Sequence, residues 1–478
     1  MSKKKLKSNG IFFTGKSADD VTGSQYLVRF GETQCLLECG LHQSNDYLES
    51  YRINAEKFKF KPTELDFVFV AHSHIDHIGC IPRLVKEGFC GKIIATEQTA
   101  RIMKPLLFNS CAIVKDETRI LSKRFGRNYQ PLYDEEDVEK TLDLIVVHND
   151  YNRVYKLNDN VSFQWLHNSH CVGAAQLQLI LKDGNDTKKI LYTSDLGALK
   201  SQNHYVDDTE IPTGYNDCVI LESTYGDSKR ATKKKRSFDV EHLRTAIETV
   251  IERKGTIIMP CFSFSRTQEL LTTLYELYGD NLNFDIPIIV DSKLSCDISK
   301  SYNTLLKGKH LKEWQAVYEW KNIKFIEEKE ESNSCIANTQ PKLVLSSSGF
   351  CTNGRIVGYL KKYLKDSNSM IVFSGYVGDN SSYLSYRVKN CREHKFIKIN
   401  GEMIPNRADC ITLSTFSSHA NCDDLVKFGS SLNTNKLILV HGSKEAKNCL
   451  AEKLRVAISK NDKTFKVIES FKGMMIKL

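Results

Sequence analysis

Ala71-His72-Ser73-His74-Ile75-Asp76-His77-Ile78-Gly79 is the stretch on which the reading of this chain turns. Just before it, Asp66-Phe67-Val68-Phe69-Val70 is a short apolar run that reads as a buried strand. The donors therefore sit where a strand ends and a loop begins. His72 and His74 are two residues apart and point to the same side of an extended segment. Asp76 and His77 follow after the chain has begun to turn, and can face a second point. Imidazole and carboxylate are the ligands zinc takes in hydrolytic sites, which keep a position open for water. Two donor clusters so close together point to two metals side by side. A merely polar loop has no need of this order of donors.

The chain is 478 residues long, which predicts two domains, and its 41% apolar content is ordinary for a globular protein. No apolar run reaches the length of a membrane span. The N-terminal Met-Ser-Lys-Lys-Lys-Leu-Lys lacks the apolar core of a secretory signal. The expectation is a cytoplasmic protein, nuclear if eukaryotic, with no membrane partner. The 15 cysteines are odd in number and dispersed, without a Cys-x-x-Cys pair, which fits reduced thiols. A net charge of +9 suits a polyanionic partner without demanding one.

His-x-His-x-Asp-His after an apolar strand resembles the signature of the metallo-β-lactamase fold superfamily, and the resemblance predicts further ligands downstream. Where the superfamily usually carries Asp-x-Gly, this chain has Glu38-Cys39-Gly40. Glu38 would support the metal-binding loop through hydrogen bonds, with one methylene more than usual. Residues 97–145 look mostly helical. Asn168-Ser169-His170-Cys171-Val172-Gly173-Ala174 offers His170 as the third histidine of one metal, with Ser169 where the family commonly has glycine. His167 reads as an ordinary strand residue. Asp195, in Thr193-Ser194-Asp195-Leu196-Gly197, is the expected bridging carboxylate.

Glu222-Ser223-Thr224-Tyr225-Gly226 resembles the first extra motif of the β-CASP branch, which acts on nucleic acids. An Arg-x-His often follows there, whereas this chain has Ser228, Lys229 and Arg230. Phe262 to Leu270 resembles the branch's Phe-x-x-Gly-Arg-x-Gln-Glu-Leu, with Ser265 in the glycine's place. Arg266 and Gln268 would open a helix and are candidates to reach a phosphate. The competing reading is a solvated first turn. Asn353 lies in a loop resembling the branch's glycine-rich one, and Asp379-Asn380-Ser381 stand where Gly-Thr-x-Gly is usual. Phe416-Ser417-Ser418-His419 matches Phe-Ser-x-His, and His441-Gly442 is the last expected ligand motif, followed by Ser443 instead of glutamate. Glu445 is the nearest acid that would compensate. The run Lys233-Lys234-Lys235-Arg236 is either solvated surface or a grip on phosphates.

The resemblance implies an α/β protein: an αββα metallo-β-lactamase sandwich (residues 1–228 and 406–478) with an inserted α/β β-CASP cassette (229–405). It implies that His72, His74 and His170 hold one Zn2+, that Asp76, His77 and His441 hold another, and that Asp195 bridges them. Mn2+ is the alternative metal. The implied activity is an RNA-processing ribonuclease, endo- or 5′-exonucleolytic, using a hydroxide that the two metals generate. Asp76, Glu222 and His419 carry the catalytic assignment, with His419, paired to Glu222, as general acid. RNA is the expected partner, and single-stranded DNA a second that the resemblance allows. Three alternatives stand: a DNA nuclease of the same branch, a small-molecule hydrolase, and a non-catalytic scaffold of an RNA-processing complex. His441 weighs against the first, the cassette against the second, and the complete donor set against the third.

Overall fold

The computed structural model describes residues 8–227, 235–378, 380–461 and 463–478. Lys233, Lys234 and Asp379 lie outside these. The chain forms one compact unit within Met1–Gln202, Val206–Thr232 and Ser418–Leu478, and a second within Asn203–Tyr205 and Lys233–Ser417.

The first unit is an αββα sandwich. One sheet runs Met475–Lys477, Gly10–Phe13, Tyr26–Phe30, Thr33–Leu37, Phe67–Phe69, Lys92–Ala95, Ile145–Val147. The other runs Lys466–Glu469, Lys436–Val440, Cys218–Glu222, Asp186–Tyr192, Ala175–Asp183, Val161–His167, Tyr155–Lys156. Their inner faces meet through Phe13, Tyr26, Phe69, Phe163, Trp165 and Tyr192, all buried. On the outer face of the second sheet, Leu425, Phe428, Leu450 and Leu454 of two helices pack against Leu221, Leu437 and Leu439. The helical reading of 97–145 resolves into a long helix, Glu97–Phe125, and a short one, Glu135–Asp143. The first begins where the Thr96 side chain accepts from Thr99 N and stops at Gly126, whose φ of +62° suits glycine.

The second unit has a wholly parallel sheet, ordered Ile323–Ile326, Ile288–Asp291, Lys342–Ser346, Thr256–Pro260, Met370–Phe373, Asp409–Thr412. The four central runs are short and buried, as parallel strands between helices must be. Asp409–Thr412 pairs with Met370–Phe373, which carries this unit on to Ser417, past the expected boundary at 405. Beyond the strand, buried Asp239 accepts from both the backbone and the hydroxyl of Thr415. Asn203–Tyr205 belongs here because Tyr205 bonds Thr272 and packs edge-on to Tyr302 and Trp314, while His204 bonds Glu269. None of the described helices is long and apolar enough to cross a membrane.

Candidate active site

The histidine loop leaves the strand Phe67–Phe69 and turns into the short helix Ile75–Ile78. Gly40 makes this packing possible, since a Cβ there would lie 1.6 Å from the Asp76 carbonyl oxygen. Glu38 is fully buried beneath the loop. Its Oε1 accepts from Ala71 N at 3.0 Å and from Ser194 Oγ at 3.3 Å, and lies 4.0 Å from His77 Nδ1. Burial pushes the Glu38 carboxyl up to about 8. Glu38 has a left-handed backbone, φ +60°.

His72, His74, His170 and Asp195 converge as one group, and Asp76, His77, Asp195 and His441 as another; each group could hold a metal ion. In the first, His74 Nδ1 is 3.1 Å from His72 Nε2 and 3.2 Å from His170 Nε2, while Asp195 Oδ2 lies 3.6 and 3.7 Å from those two nitrogens. In the second, Asp195 Oδ1 is 3.2 Å from His77 Nε2 and 3.4 Å from His441 Nε2, and Asp76 Oδ2 is 3.5 Å from both. A tetrahedral zinc with nitrogens about 2.0–2.1 Å away separates its ligands by about 3.3–3.4 Å. The donor spacings fit such a cation in both groups, and Asp195 offers one oxygen to each.

The electrostatics agree with that fit. Burial holds His72, His74 and His170 well below the ordinary histidine range, His74 at about 4, so all three present lone pairs at neutral pH. Burial would also depress His77, but Asp195 and Asp76 overcome it and raise its proton affinity strongly. A buried carboxylate, Asp195, and a half-buried one, Asp76, so close together call for positive charge between them.

His419 stands outside both donor groups. Its Nδ1 is 3.0 Å from Glu222 Oε1 and its Nε2 is 3.8 Å from Asp195 Oδ2. Burial works against its charged form, but Glu222 and then Asp195 raise its proton affinity above the ordinary value. Glu222 is itself held by Leu196 N and Thr224 N.

Several contributors carry no signature in the sequence. Asn168 accepts from His170 N and Gly197 N through Oδ1 and donates to the carbonyls of Thr193 and Asp195, so one amide sets two donors. Ser194 Oγ is 3.0 Å from His72 Nδ1, and Thr224 Oγ1 is 3.0 Å from His441 Nδ1; each fixes which ring nitrogen faces the site. Thr224 and Asn168 lie inside motifs already noted, and that position is the one signal they gave. Ser443 does not take a ligand glutamate's part. It caps the helix Lys444–Lys460 by accepting from Ala446 N, and Glu445 is exposed in that helix's first turn. Ser169 is buried where glycine is usual, its hydroxyl donating to the Ala198 carbonyl.

The described phosphate candidates of the second unit are Lys235, Arg266, Gln268 and Asn353. Gln268 is buried, its amide donating to the Ser263 carbonyl and to Ser299 Oγ, so it is a packing residue and not a surface donor. The Asn353 carbonyl accepts from the Ser348 backbone and hydroxyl within a turn. Arg266 opens the helix Arg266–Tyr278, and Lys235, exposed, precedes the helix Arg236–Glu252. His167 lies at the end of its strand, with Asp207 3.4 Å away.

Comparison with known proteins is consistent with this arrangement. Family descriptions match in chain order: the metallo-β-lactamase superfamily over residues 18–147, the Beta-Casp domain over 267–382, and a Zn-dependent metallo-hydrolase RNA specificity domain over 403–467. The chain is 27% identical to ribonuclease TTHA0252 of Thermus thermophilus, covering 90% of this chain and 92% of that protein. It is 24% identical to endoribonuclease YSH1 of Eremothecium gossypii over 92% of this chain, but spans only 56% of that protein. It is 27% identical to transcription termination factor FttA of Methanocaldococcus jannaschii, covering 92% and 67%. A solved protein of unknown function from Enterococcus faecalis shares the fold, with TM-score 0.54 at 14% identity over 99% of this chain and all of that one.

Proposed function

We propose that this chain, which belongs to the β-CASP branch of the metallo-β-lactamase superfamily, is a two-zinc ribonuclease that hydrolyses RNA phosphodiester bonds. The observation that carries the reading is Asp195, which turns one oxygen toward His72, His74 and His170 and the other toward Asp76, His77 and His441. Those residues would hold two cations. Bound there, the cations would supply a water of lowered pKa as nucleophile and would neutralise charge on the phosphoryl oxygens.

The rest of the chemistry belongs to the chain itself. A hydrolysed phosphodiester releases an alkoxide that needs a proton. His419 is placed to give it: Glu222 keeps its Nδ1 occupied and favours its charged form, so Nε2 is the donor turned toward Asp195. Glu38, Asn168, Ser194 and Thr224 hold the ligand side chains in place, so little reorganisation is left for the moment of reaction. The names of the relatives, ribonuclease and endoribonuclease, support RNA as substrate.

The test is cleavage of an RNA labelled separately at each end, with and without chelator, alongside elemental analysis. About two zinc ions per chain and chelator-sensitive cutting are expected. Restoration by manganese in place of zinc would change the metal and leave the reading intact. A protein that holds no metal and cuts equally well under chelator would end it. Products from the two labels separate internal cutting from processive cutting.

A further inference from the structure

Four aromatic rings of the second unit meet at the carboxyl ends of three adjacent parallel strands. Phe262 follows Thr256–Pro260, Phe350 follows Lys342–Ser346, and Tyr376 and Tyr383 follow Met370–Phe373. Phe350 is the hub. Its ring centroid lies 5.4 Å from Phe262 at 82°, 5.4 Å from Tyr383 at 49° and 6.2 Å from Tyr376 at 88°. Tyr376 and Tyr383 close the group at 6.4 Å. Mainly edge-on contacts hold the rings to one another. Phe262 is 49% exposed and Tyr376 52%.

The backbone is shaped to seat these rings. A Cβ on Gly349 would lie 3.0 Å from Phe262 Cε2, and one on Gly378 would lie 2.3 Å from Tyr383 Cγ. Two glycines thus leave room for two rings that simple burial does not require, since Phe262 remains half in water. Hydroxyls stand beside them. Ser292 Oγ is 3.2 Å from Ser263 Oγ and accepts from Ser347 Oγ at 2.9 Å, and Arg266 follows Phe262 by four residues. Among the described residues of these loops, the large exposed apolar side chains are aromatic, with no aliphatic patch of the kind that buries well in a protein interface. Open α/β sheets take their ligands at this edge.

We infer that Phe262, Phe350, Tyr376 and Tyr383 form a stacking platform for the bases of single-stranded RNA. The inference rests on the ribonuclease reading and adds which residues of the second unit grip the strand. Every base has a flat π-face, so such a platform binds with little sequence preference, and Arg266 suits the sugar–phosphate chain.

The experiment titrates a fluorescent oligouridine and a matched abasic strand into the full chain with its metals bound, carrying His419→Ala to slow cutting. Phe262→Ala and Tyr376→Ala should each weaken binding of the base-bearing strand by about 5- to 100-fold and leave the abasic strand unmoved. Phe262→Trp and Tyr376→Phe should keep affinity. Phe262→Leu and Tyr376→Leu, which retain apolar bulk without a stacking face, should lose it while metal content and melting temperature stay unchanged. RNA that binds and is cut normally by wild type, with alanine and leucine variants binding equally well, would overturn the platform and spare the ribonuclease reading. Wild type that binds neither strand would remove both. Loss of a dimer in sedimentation with RNA affinity unmoved would make the face a contact between copies, and would also overturn the proposal.

Discussion

Two aspartates, one in each unit, are buried at the carboxyl end of a strand, and their surroundings answer their charge in opposite ways. Asp291 ends the strand Ile288–Asp291 and is fully buried. It accepts from Ser332 Oγ and Tyr359 OH, both at 2.7 Å, and from Arg355 Nη1 at 2.8 Å, so a cation and two hydroxyls of the chain complete it. Asp195 follows the strand Asp186–Tyr192 and faces four imidazoles of the two donor groups, together with His419. Three of its histidine neighbours, counting His74 in the same group, are held in the neutral form. A carboxylate answered by protein donors is structural. One answered by lone pairs is a site.

The comparison breaks most easily at Asp195. Asp195→Ala should lower RNA cleavage by about 10⁴-fold or more, because groups acting as a unit fail together. Elemental analysis should show less than the full pair of metals. Retention of both metals with full activity would mean that Asp195 is another Asp291.

His419 comes next. His419→Ala should slow cleavage by about 10²–10⁴-fold with metal content intact; loss of a metal would make it a ligand instead. Burial alone would lower His419, but Glu222 and Asp195 together raise it above 6.5, so activity that needs the proton should persist above that pH and fall as pH rises through the raised value. Glu222→Gln should shift this alkaline fall to lower pH, read from kcat against pH.

The opposite half of the comparison is a matter of stability. Arg355→Met leaves Asp291 buried without its cation and should cost about 3–5 kcal/mol in denaturant unfolding, with the metals undisturbed. A change in metal content without a change in stability would reverse the roles assigned to the two aspartates.

The smallest effect carries the opposite sign. Ser265 sits at φ +66°, ψ −59°, and Arg266 N donates to Phe264 O at 2.8 Å, closing a γ-turn in a region that disfavours side chains. Ser265→Gly should stabilise the second unit by about 1 kcal/mol, seen as a higher melting temperature. No gain would mean that the serine's contacts offset the strain.

These cases also show what the chain makes legible. His72, His74, Asp76 and His77 can be read because metal donors must be particular residue types at short spacings after a strand. Asn168 cannot, because its role lies in four hydrogen bonds to backbone, which any asparagine could make and few do. Gln268 is hard to read for a related reason. A polar residue in a helix's first turn suggests solvent, yet a backbone carbonyl and Ser299 satisfy it inside. The reach of the second unit to Ser417 is hidden because strand Asp409–Thr412 is short, and only its pairing says which sheet it joins.

The order of the donors along the chain has a consequence for synthesis. His72 to His170 and Asp195 precede the second unit in the chain, but His419 and His441 follow it, and Lys436–Val440 must slot beside Cys218–Glu222 before His441 can face Asp76. Domains fold as they leave the ribosome, amino-terminal parts first. Six of the seven donors are therefore made before the second unit, and the set is completed by His441 only after that unit has been made.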